Sequence, residues 1–235
     1  AAFDGRETAP MAATQALFLQ DDGTPMGFWD AVVGGRSVGV PGTLAMLEKA
    51  HARHGKLPWA RLFEPAIELA REGFEVTPRL HELIARDRFL KTYAPARDYF
   101  YTEAGEPLPV GHLLKNPAYA RTLEVVAEQG ARAFYEGEIA RAIVRTVRQA
   151  DGNPGKLSRR DLAQYDAKVR PALCRPYRAN TVCGHPPPTS GGATVLQILG
   201  ILENFDLPAT RPMGVEAVHL LAEASRLAFA DRNRF

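Results

Sequence analysis

Long hydrophobic runs and blocks of like charge are both missing from this sequence of 235 residues. No apolar stretch approaches the roughly 20 residues that a membrane-spanning helix needs, so we expect no membrane span. The 29 basic and 27 acidic residues are spread along the chain and leave a formal charge of +2. Such a balance is not typical of a nucleic-acid-binding protein, and we expect no nucleic-acid partner.

Cysteine is scarce, since Cys174 and Cys183 are the only two in the sequence. They lie nine positions apart, without the Cys-x-x-Cys spacing or the neighbouring histidines of a zinc site. A disulfide requires that a hairpin join them, and the residue type favours two small, buried side chains instead. We therefore predict no metal and no other cofactor.

Two familiar glycine and serine motifs are absent as well. The glycine-dense residues 34–42 lack the spacing of a phosphate-binding loop, so we expect a strand that ends in a tight turn there. Ser190 does not stand in the Gly-x-Ser-x-Gly pattern of a hydrolase nucleophile elbow. Neither segment indicates an active site.

The spacing of the histidines and carboxylates in the sequence indicates no catalytic group. The six histidines are scattered, apart from His51 and His54 on one charged helix, and packing or solvated roles are expected for them. Three carboxylates, Glu64, Glu68 and Glu72, are spaced four residues apart on one predicted helix. Such a row is typical of a solvated helix face. From the residues alone, no complete active site is predicted.

What the sequence does contain is helical periodicity in most of its length, with strands confined to one region. Capping residues, glycines and apolar spacing predict helices over residues 43–54, 57–72, 78–89, 116–130, 134–147, 158–165, 193–202 and 213–231. Proline and β-favouring residues predict one or two strands in 169–184. Residues 93–109 are expected to form an irregular excursion, with 99–101 as a short strand or loop. The predicted class is α+β and mostly helical.

The most distinctive segment is residues 186–192, PPPTSGG, which runs directly into an apolar stretch. Its three prolines exclude a helix, and Ser190 with the two glycines allows a tight turn. We predict a rigid extended segment that feeds a core helix, with a structural role.

Arg6 is the candidate binding residue. It lies in residues 4–10, DGRETAP, between a flexible glycine and a proline-bounded turn. A guanidinium held by such a backbone can bind a carboxylate through two parallel hydrogen bonds. The alternative is an ordinary surface ion pair with Asp4 or Glu7.

Taken together, seven segments in this order and spacing resemble the gamma-glutamyltranspeptidase family. They are DGRETAP at 4–10, VGVPG at 38–42, EPAIELA at 64–70, GF at 73–74, FYEG at 134–137, LAQY at 162–165 and PPPTSGG at 186–192. Each is weak alone, but seven in register are specific and cover almost the whole chain.

The resemblance implies an N-terminal-nucleophile hydrolase with a four-layer αββα sandwich, present here only in part. In that family a precursor cuts itself before a threonine to give a large and a small subunit. The terminal threonine attacks the γ-glutamyl amide with its own α-amine as base, and water or an amino acid resolves the acyl-enzyme. Arg6 corresponds to the arginine that binds the α-carboxylate of the γ-glutamyl group. No catalytic residue of the family corresponds to a residue of this segment.

By the same resemblance, residues 1–235 are expected to be a partial large subunit, lacking both ends of that subunit and the small subunit. The expected partners are the small subunit of the same precursor, a γ-glutamyl substrate such as glutathione, and an amino-acid or water acceptor. The segment alone is expected to be inactive. The alternatives are a related glutaryl or poly-γ-glutamate amide hydrolase, or a non-catalytic scaffold. The family pattern implies a periplasmic or extracellular location.

Overall fold

Helices dominate the fold, which is seen in a computed structural model that describes residues 1–234; Phe235, the last residue of the predicted 1–235 unit, lies outside the described residues. The chain divides into two units by its internal contacts. One comprises Glu7–Asp166, and the other joins Ala1–Arg6 to the described residues from Ala167 onward. The mostly helical α+β class expected from the sequence is confirmed.

The unit Glu7–Asp166 is built mainly from helices. They are α1 (Phe28–Val32), α2 (Thr43–His54), α3 (Glu64–Glu72), α4 (Pro78–Arg86), α5 (Ala94–Phe100), α6 (Pro117–Gln129), α7 (Arg132–Tyr135), α8 (Gly137–Arg148) and α9 (Arg159–Ala163). One antiparallel pair of two-residue strands, β2 (Phe74–Glu75) and β3 (Leu113–Leu114), joins the loops around α4. Two short 3-10 turns, Trp59–Leu62 and Leu90–Thr92, complete the unit.

The helix boundaries follow from local chemistry that the sequence displays. The Thr77 hydroxyl accepts a hydrogen bond from the Leu80 amide at the start of α4, as expected for an N-cap. Ser158 and Asp161 form a reciprocal capping box at the start of α9. Gly73 ends α3 with a φ of 96°, a conformation that glycine adopts without steric cost.

The main core of this unit lies where α7, α8 and α9 meet the segment before α2. Its buried side chains are Val40, Ala131, Tyr135, Ala140, Val147, Leu157 and Leu162. The Tyr135 hydroxyl donates to the Pro41 carbonyl at 2.8 Å, so the ring anchors the start of α2 to α7. Tyr135 also stacks on Tyr165, with ring centroids 5.8 Å apart. A hydrogen-bonded aromatic therefore links three elements of the core.

As far as residue 234, the other unit contains two antiparallel strand pairs and two long helices. Strand β1 (Ala2–Asp4) pairs with β4 (Lys168–Arg170), and β5 (Leu173–Tyr177) pairs with β6 (Asn180–Gly184). Helix α10 (Gly191–Leu202) packs on the β5–β6 hairpin and on α11 (Val215–Arg234). A short 3-10 turn, Leu207–Ala209, lies between the two helices.

The glycines of PPPTSGG allow α10 to approach its hairpin closely. A Cβ atom at Gly184 would lie 2.5 Å from the Cα of Gly192, and one at Gly192 would overlap the His185 carbonyl oxygen. No larger side chain fits at either position without moving the backbone. The close approach of the two backbones is the physical reason for the structural role predicted for the segment 186–192.

Several expectations about local structure are wrong. The predicted helix over 134–147 is interrupted at Glu136, which is extended, so α7 and α8 are separate helices. Residues 34–42 form turns with one isolated bridge, Thr8 to Val40, in place of a strand. Residues 94–100 are helix α5, so the 99–101 segment is largely helical, because Tyr99 and Phe100 pack against the buried cluster of Val76, Leu108 and Leu114. Cys174 and Cys183, expected as buried thiols, are exposed and form a disulfide. The reason is their direct opposition across the β5–β6 ladder.

Within residues 1–234, no helix is both long and apolar enough to cross a membrane.

Candidate functional site

The candidate site is built on the end of β1, in the unit that contains Arg6. Strand β1 pairs antiparallel with β4 in the register Ala2 to Arg170, Phe3 to Val169 and Asp4 to Lys168. Arg6 therefore follows the last strand residue by two positions, with Gly5 between them. The strand pair sets the starting point of the turn that carries Arg6, and the Arg6 side chain is exposed.

Asp4 is the centre of this turn. Its side chain is buried, with 7% of its surface exposed. One carboxylate oxygen accepts a 2.9 Å hydrogen bond from the backbone amide of Arg6, and the other accepts a 2.7 Å bond from Nε of Arg170. Both oxygens are thus used by donors, which is the arrangement that a buried carboxylate requires.

The electrostatics keep Asp4 ionised. The hydrogen bond from the Arg6 amide, followed by the bond from Arg170, holds the pKa of Asp4 below its ordinary value, and these effects outweigh the opposing effect of burial. The nearby His185 ring acts in the same direction more weakly. At neutral pH the turn is therefore organised around a negative charge.

His185 contacts the same turn from the end of β6. Its Nδ1 lies 2.8 Å from the Pro186 carbonyl oxygen, and its Nε2 lies 3.3 Å from the Phe3 carbonyl oxygen. A neutral imidazole has one N–H and can donate to one of these carbonyls, whereas the protonated ring can donate to both. We name Asp4, Arg6, Arg170 and His185 the Asp4 cluster.

Sequence reasoning found one member of this cluster and missed the others. Asp4 entered only as a possible surface ion-pair partner, yet it is buried and bound to Arg170 across 166 positions. Aspartate side chains often accept a hydrogen bond from the backbone amide two residues later. The turn between Asp4 and Arg6 could therefore have been predicted from the sequence. No local sequence pattern indicates the contact between Asp4 and Arg170, because the two residues are 166 positions apart. The function of the Arg6 guanidinium stays a prediction.

The segment 186–192 borders a separate cleft of about 740 Å³ in the same unit. Nε of Arg232 donates to the Ser190 hydroxyl at 2.9 Å, and the Ser190 carbonyl accepts from the Thr194 amide at 2.9 Å. A guanidinium is a donor and cannot act as a general base, so the contact with Arg232 does not activate Ser190 as a nucleophile. The non-catalytic interpretation of this serine agrees with that geometry.

The α3 carboxylates and two of the histidines have solvated or structural roles. The carboxylates Glu64, Glu68 and Glu72 of α3 are exposed, as predicted. His51 lies 2.8 Å from the Leu57 carbonyl oxygen, and His81 lies 2.8 Å from that of Leu108, so both rings form hydrogen bonds with the backbone. Among residues 1–234, no group of three or more histidine, cysteine, aspartate or glutamate side chains is placed to hold a metal ion.

Comparison with known proteins gives one family. A family model described as gamma-glutamyltranspeptidase matches residues 1–235. The chain is 36% identical to the glutathione hydrolase proenzyme of Escherichia coli over 236 aligned positions, which cover all of this chain and 40% of that protein. It is 37% identical to the acylase ACY 1 proenzyme of a Pseudomonas species, covering 97% of this chain and 41% of that protein. The chain thus spans about two fifths of the length of these relatives.

Solved structures agree with the sequence comparison. Helicobacter pylori gamma-glutamyltranspeptidase superposes with a TM-score of 0.88 and 34% identity, over 98% of this chain and 65% of that one. The Bacillus anthracis transpeptidase CapD superposes with a TM-score of 0.71 and 31% identity, over 99% of this chain and 70% of that one. The expected fold class, an incomplete N-terminal-nucleophile hydrolase sandwich, is borne out by this likeness. With family match, relatives and fold in agreement, the chain belongs to the gamma-glutamyltranspeptidase family.

Proposed function

We propose that this chain is part of the large subunit of an enzyme that transfers or hydrolyses the γ-glutamyl group of amides such as glutathione. In this proposal Arg6 binds the α-carboxylate of the γ-glutamyl group, and a threonine nucleophile comes from the small subunit of the same precursor. The single observation that carries the proposal is the exposed Arg6 on a turn anchored by buried Asp4, within a chain that belongs to this family.

The physical case for Arg6 rests on geometry and charge. A guanidinium offers paired N–H donors that match a carboxylate. The Arg6 backbone amide is held at 2.9 Å by Asp4, so the side chain starts from a defined position. Fixing the starting point of a long side chain reduces the entropy lost when it binds its ligand. These features support a binding role.

The test uses the full-length protein and three chromogenic anilides that differ by single groups. The γ-glutamyl anilide has both the α-carboxylate and the α-amine, the glutaryl anilide lacks only the amine, and the 4-aminobutyryl anilide lacks only the carboxylate. We expect Arg6→Ala to lower kcat/KM by roughly 10- to 100-fold for the first two and to leave the third unchanged, because a lost charge-assisted hydrogen-bond pair costs on that scale. An equal loss on all three would contradict the carboxylate-binding role.

A matched control is Arg86→Ala. Arg86 is an exposed arginine paired with Glu82 one turn earlier on α4. Such surface pairs contribute little, so all three anilides should react with this variant as with the unaltered protein.

The second candidate function is hydrolysis of a glutaryl or poly-γ-glutamate amide. The observation that favours a substrate other than glutathione is a relative named as an acylase, the ACY 1 proenzyme, which is as similar to this chain as the glutathione hydrolase proenzyme is. The glutaryl and γ-glutamyl anilides test the glutaryl form of this second function, since only the γ-glutamyl anilide has an α-amine. A higher kcat/KM for the glutaryl anilide would favour the second function.

We further propose that the precursor cleaves itself and that residues 1–235 need the rest of the protein for activity. The relatives named proenzymes are about two and a half times as long as the matched region, which supports a further subunit. We expect intact mass of the full-length product to show two chains that sum to the precursor, the smaller beginning with threonine. We expect no turnover from residues 1–235 alone. A single uncleaved, inactive full-length chain would indicate a non-catalytic scaffold.

A further inference from the structure

The Asp4 carboxylate connects the backbone of Arg6 to a second strand, and this connection suggests a role beyond the turn itself. Its contact with the Arg6 amide closes the three-residue turn Asp4, Gly5 and Arg6. Its contact with Arg170 reaches β4, the partner strand of β1. The backbone position of Arg6 therefore depends on one buried side chain.

The two contacts differ in what they require. The Arg6 amide needs only an oxygen acceptor, which an asparagine also supplies. The contact with Arg170 is an ion pair with one buried and one partly exposed partner, at 7% and 43% side-chain exposure. Charge-assisted bonds of this kind are shorter and stronger than neutral ones. Substitutions at Asp4 can therefore remove the ionic contact alone or both contacts together.

The register of the strands explains why the ionic contact restrains the turn. Arg170 lies opposite Ala2, while Asp4 lies opposite Lys168. The Arg170 side chain thus reaches diagonally along the strand pair to bind the residue that begins the turn. An Asp4 held from β4 cannot move without disturbing the strand pair, so the Arg6 amide is held in place as well.

We propose that Asp4 is a positioning residue, which fixes the backbone from which Arg6 reaches the carboxylate of the substrate, and that Arg170 holds Asp4 in place. This inference rests on the proposed function of Arg6. Neither Asp4 nor Arg170 touches substrate in this account; both act through Arg6. Their loss should weaken the binding of carboxylate-bearing substrates and leave the chemical step unaffected.

The experiment measures kcat and KM of the full-length enzyme for the γ-glutamyl and 4-aminobutyryl anilides. Asp4→Ala should raise KM for the γ-glutamyl anilide about 5- to 20-fold, with kcat within about twofold, because both contacts are lost. Asp4→Asn and Arg170→Gln should each raise it about two- to fivefold, because only the ionic contact is lost. The 4-aminobutyryl anilide, which has no carboxylate for Arg6, should show no change.

Asp22 supplies a matched control. Its carboxylate accepts a 2.9 Å hydrogen bond from the Thr24 amide two positions later, the same local turn as at Asp4, but it is exposed and lies in the other unit. Asp22→Ala removes this turn contact and should leave both kinetic constants unchanged.

The double variant separates positioning from general structural support. If Asp4 acts through Arg6, Asp4→Ala should cause no further loss of kcat/KM in a protein that already carries Arg6→Ala. An additional loss there, or an equal loss on both anilides, would show that Asp4 only supports the fold and would overturn the inference.

Failure of the inference and failure of the proposed function give different results. If Arg6→Ala does not change KM for the γ-glutamyl anilide, the proposed function of Arg6 is wrong. If Arg6→Ala raises KM while Asp4→Ala and Asp4→Asn do not, only the positioning role is wrong. Should Asp4→Ala prevent folding, Asp4→Asn and Arg170→Gln decide the question, since each keeps an acceptor for the Arg6 amide.

Discussion

The side-chain oxygen of Asn153 accepts a 2.7 Å hydrogen bond from Nε of Arg36, which lies 117 positions earlier in the chain. The Asn153 side-chain nitrogen donates to the carbonyl oxygens of Asp30 and Val33, each at 2.8 Å. Only 7% of Asn153 is exposed. This one buried amide therefore holds α1 and the segment after it against the loop after α8.

Replacing Asn153 by aspartate should destabilise the protein strongly. The carboxylate lacks the two N–H donors and would lie opposite two carbonyl oxygens, so we expect the free energy of unfolding to fall by roughly 2–4 kcal/mol. Urea unfolding of the chain followed by tryptophan fluorescence measures this. Asn116→Asp is the control, because Asn116 caps α6 through its side-chain oxygen and aspartate caps equally well. A change at position 153 no larger than the control would contradict the role assigned to the amide.

Leu157 and Leu162 are fully buried in the core beside Tyr135 and Val147. Truncating either one to alanine removes buried methyl groups and leaves a cavity, so we expect each to cost about 2–5 kcal/mol of unfolding free energy. Leu47→Ala provides the comparison, since that leucine is 48% exposed. Its effect should stay within about 1 kcal/mol. Similar urea unfolding midpoints for all three variants would show that the buried residues around Leu157 and Leu162 are not the main core.

Acid should destabilise the protein through Asp4 and Asp161. Burial tends to raise the pKa of Asp161, but the hydrogen bonds from the Met11 amide and from Ser158 together lower it below the ordinary value. The pKa of Asp4 is lowered as well. A carboxyl whose pKa is lower in the folded state binds protons more readily when unfolded, so its contribution is complete above pH about 4 and disappears as the pH falls further.

Thermal unfolding at pH 6 and pH 3 checks this dependence. Asp161→Asn cannot ionise, so this variant should show a smaller drop in Tm between the two pH values than the unaltered chain. Asp151→Asn, at an exposed loop position, should not alter the size of the drop. An unchanged drop in the Asp161 variant would mean that the carboxylate contributes nothing to the pH dependence.

The disulfide between Cys174 and Cys183 should stabilise the β5–β6 hairpin. It closes a loop of about ten residues, which corresponds to about 2–3 kcal/mol in the chain-entropy description. We expect a reducing agent to lower the unfolding midpoint of the unaltered chain and to have no effect on Cys174→Ser. Alkylation without prior reduction should label neither cysteine. Full labelling of both under those conditions would exclude the disulfide.

Local signals predicted the helices because their chemistry is contained in a few neighbouring residues. Thr77, Ser158 and the glycine at 73 each lie within one turn of the helix end they define. The helix at 94–100 was missed because its aromatic and proline-rich composition resembles a loop, and its position is decided by packing of Tyr99 and Phe100 against a small buried cluster. Propensity is a weak guide when tertiary contacts decide the conformation.

The sequence by itself determined the family, through seven short segments in register, and the choice of Arg6, through its resemblance to the family's binding arginine. Only the tertiary structure decided that Asp4 is buried and bound to Arg170, that Asn153 reaches Arg36, and that the two cysteines face each other. The reason is physical. A cap or a turn is specified by residues that are close in the chain, whereas a buried polar contact depends on which distant strands and loops pack together.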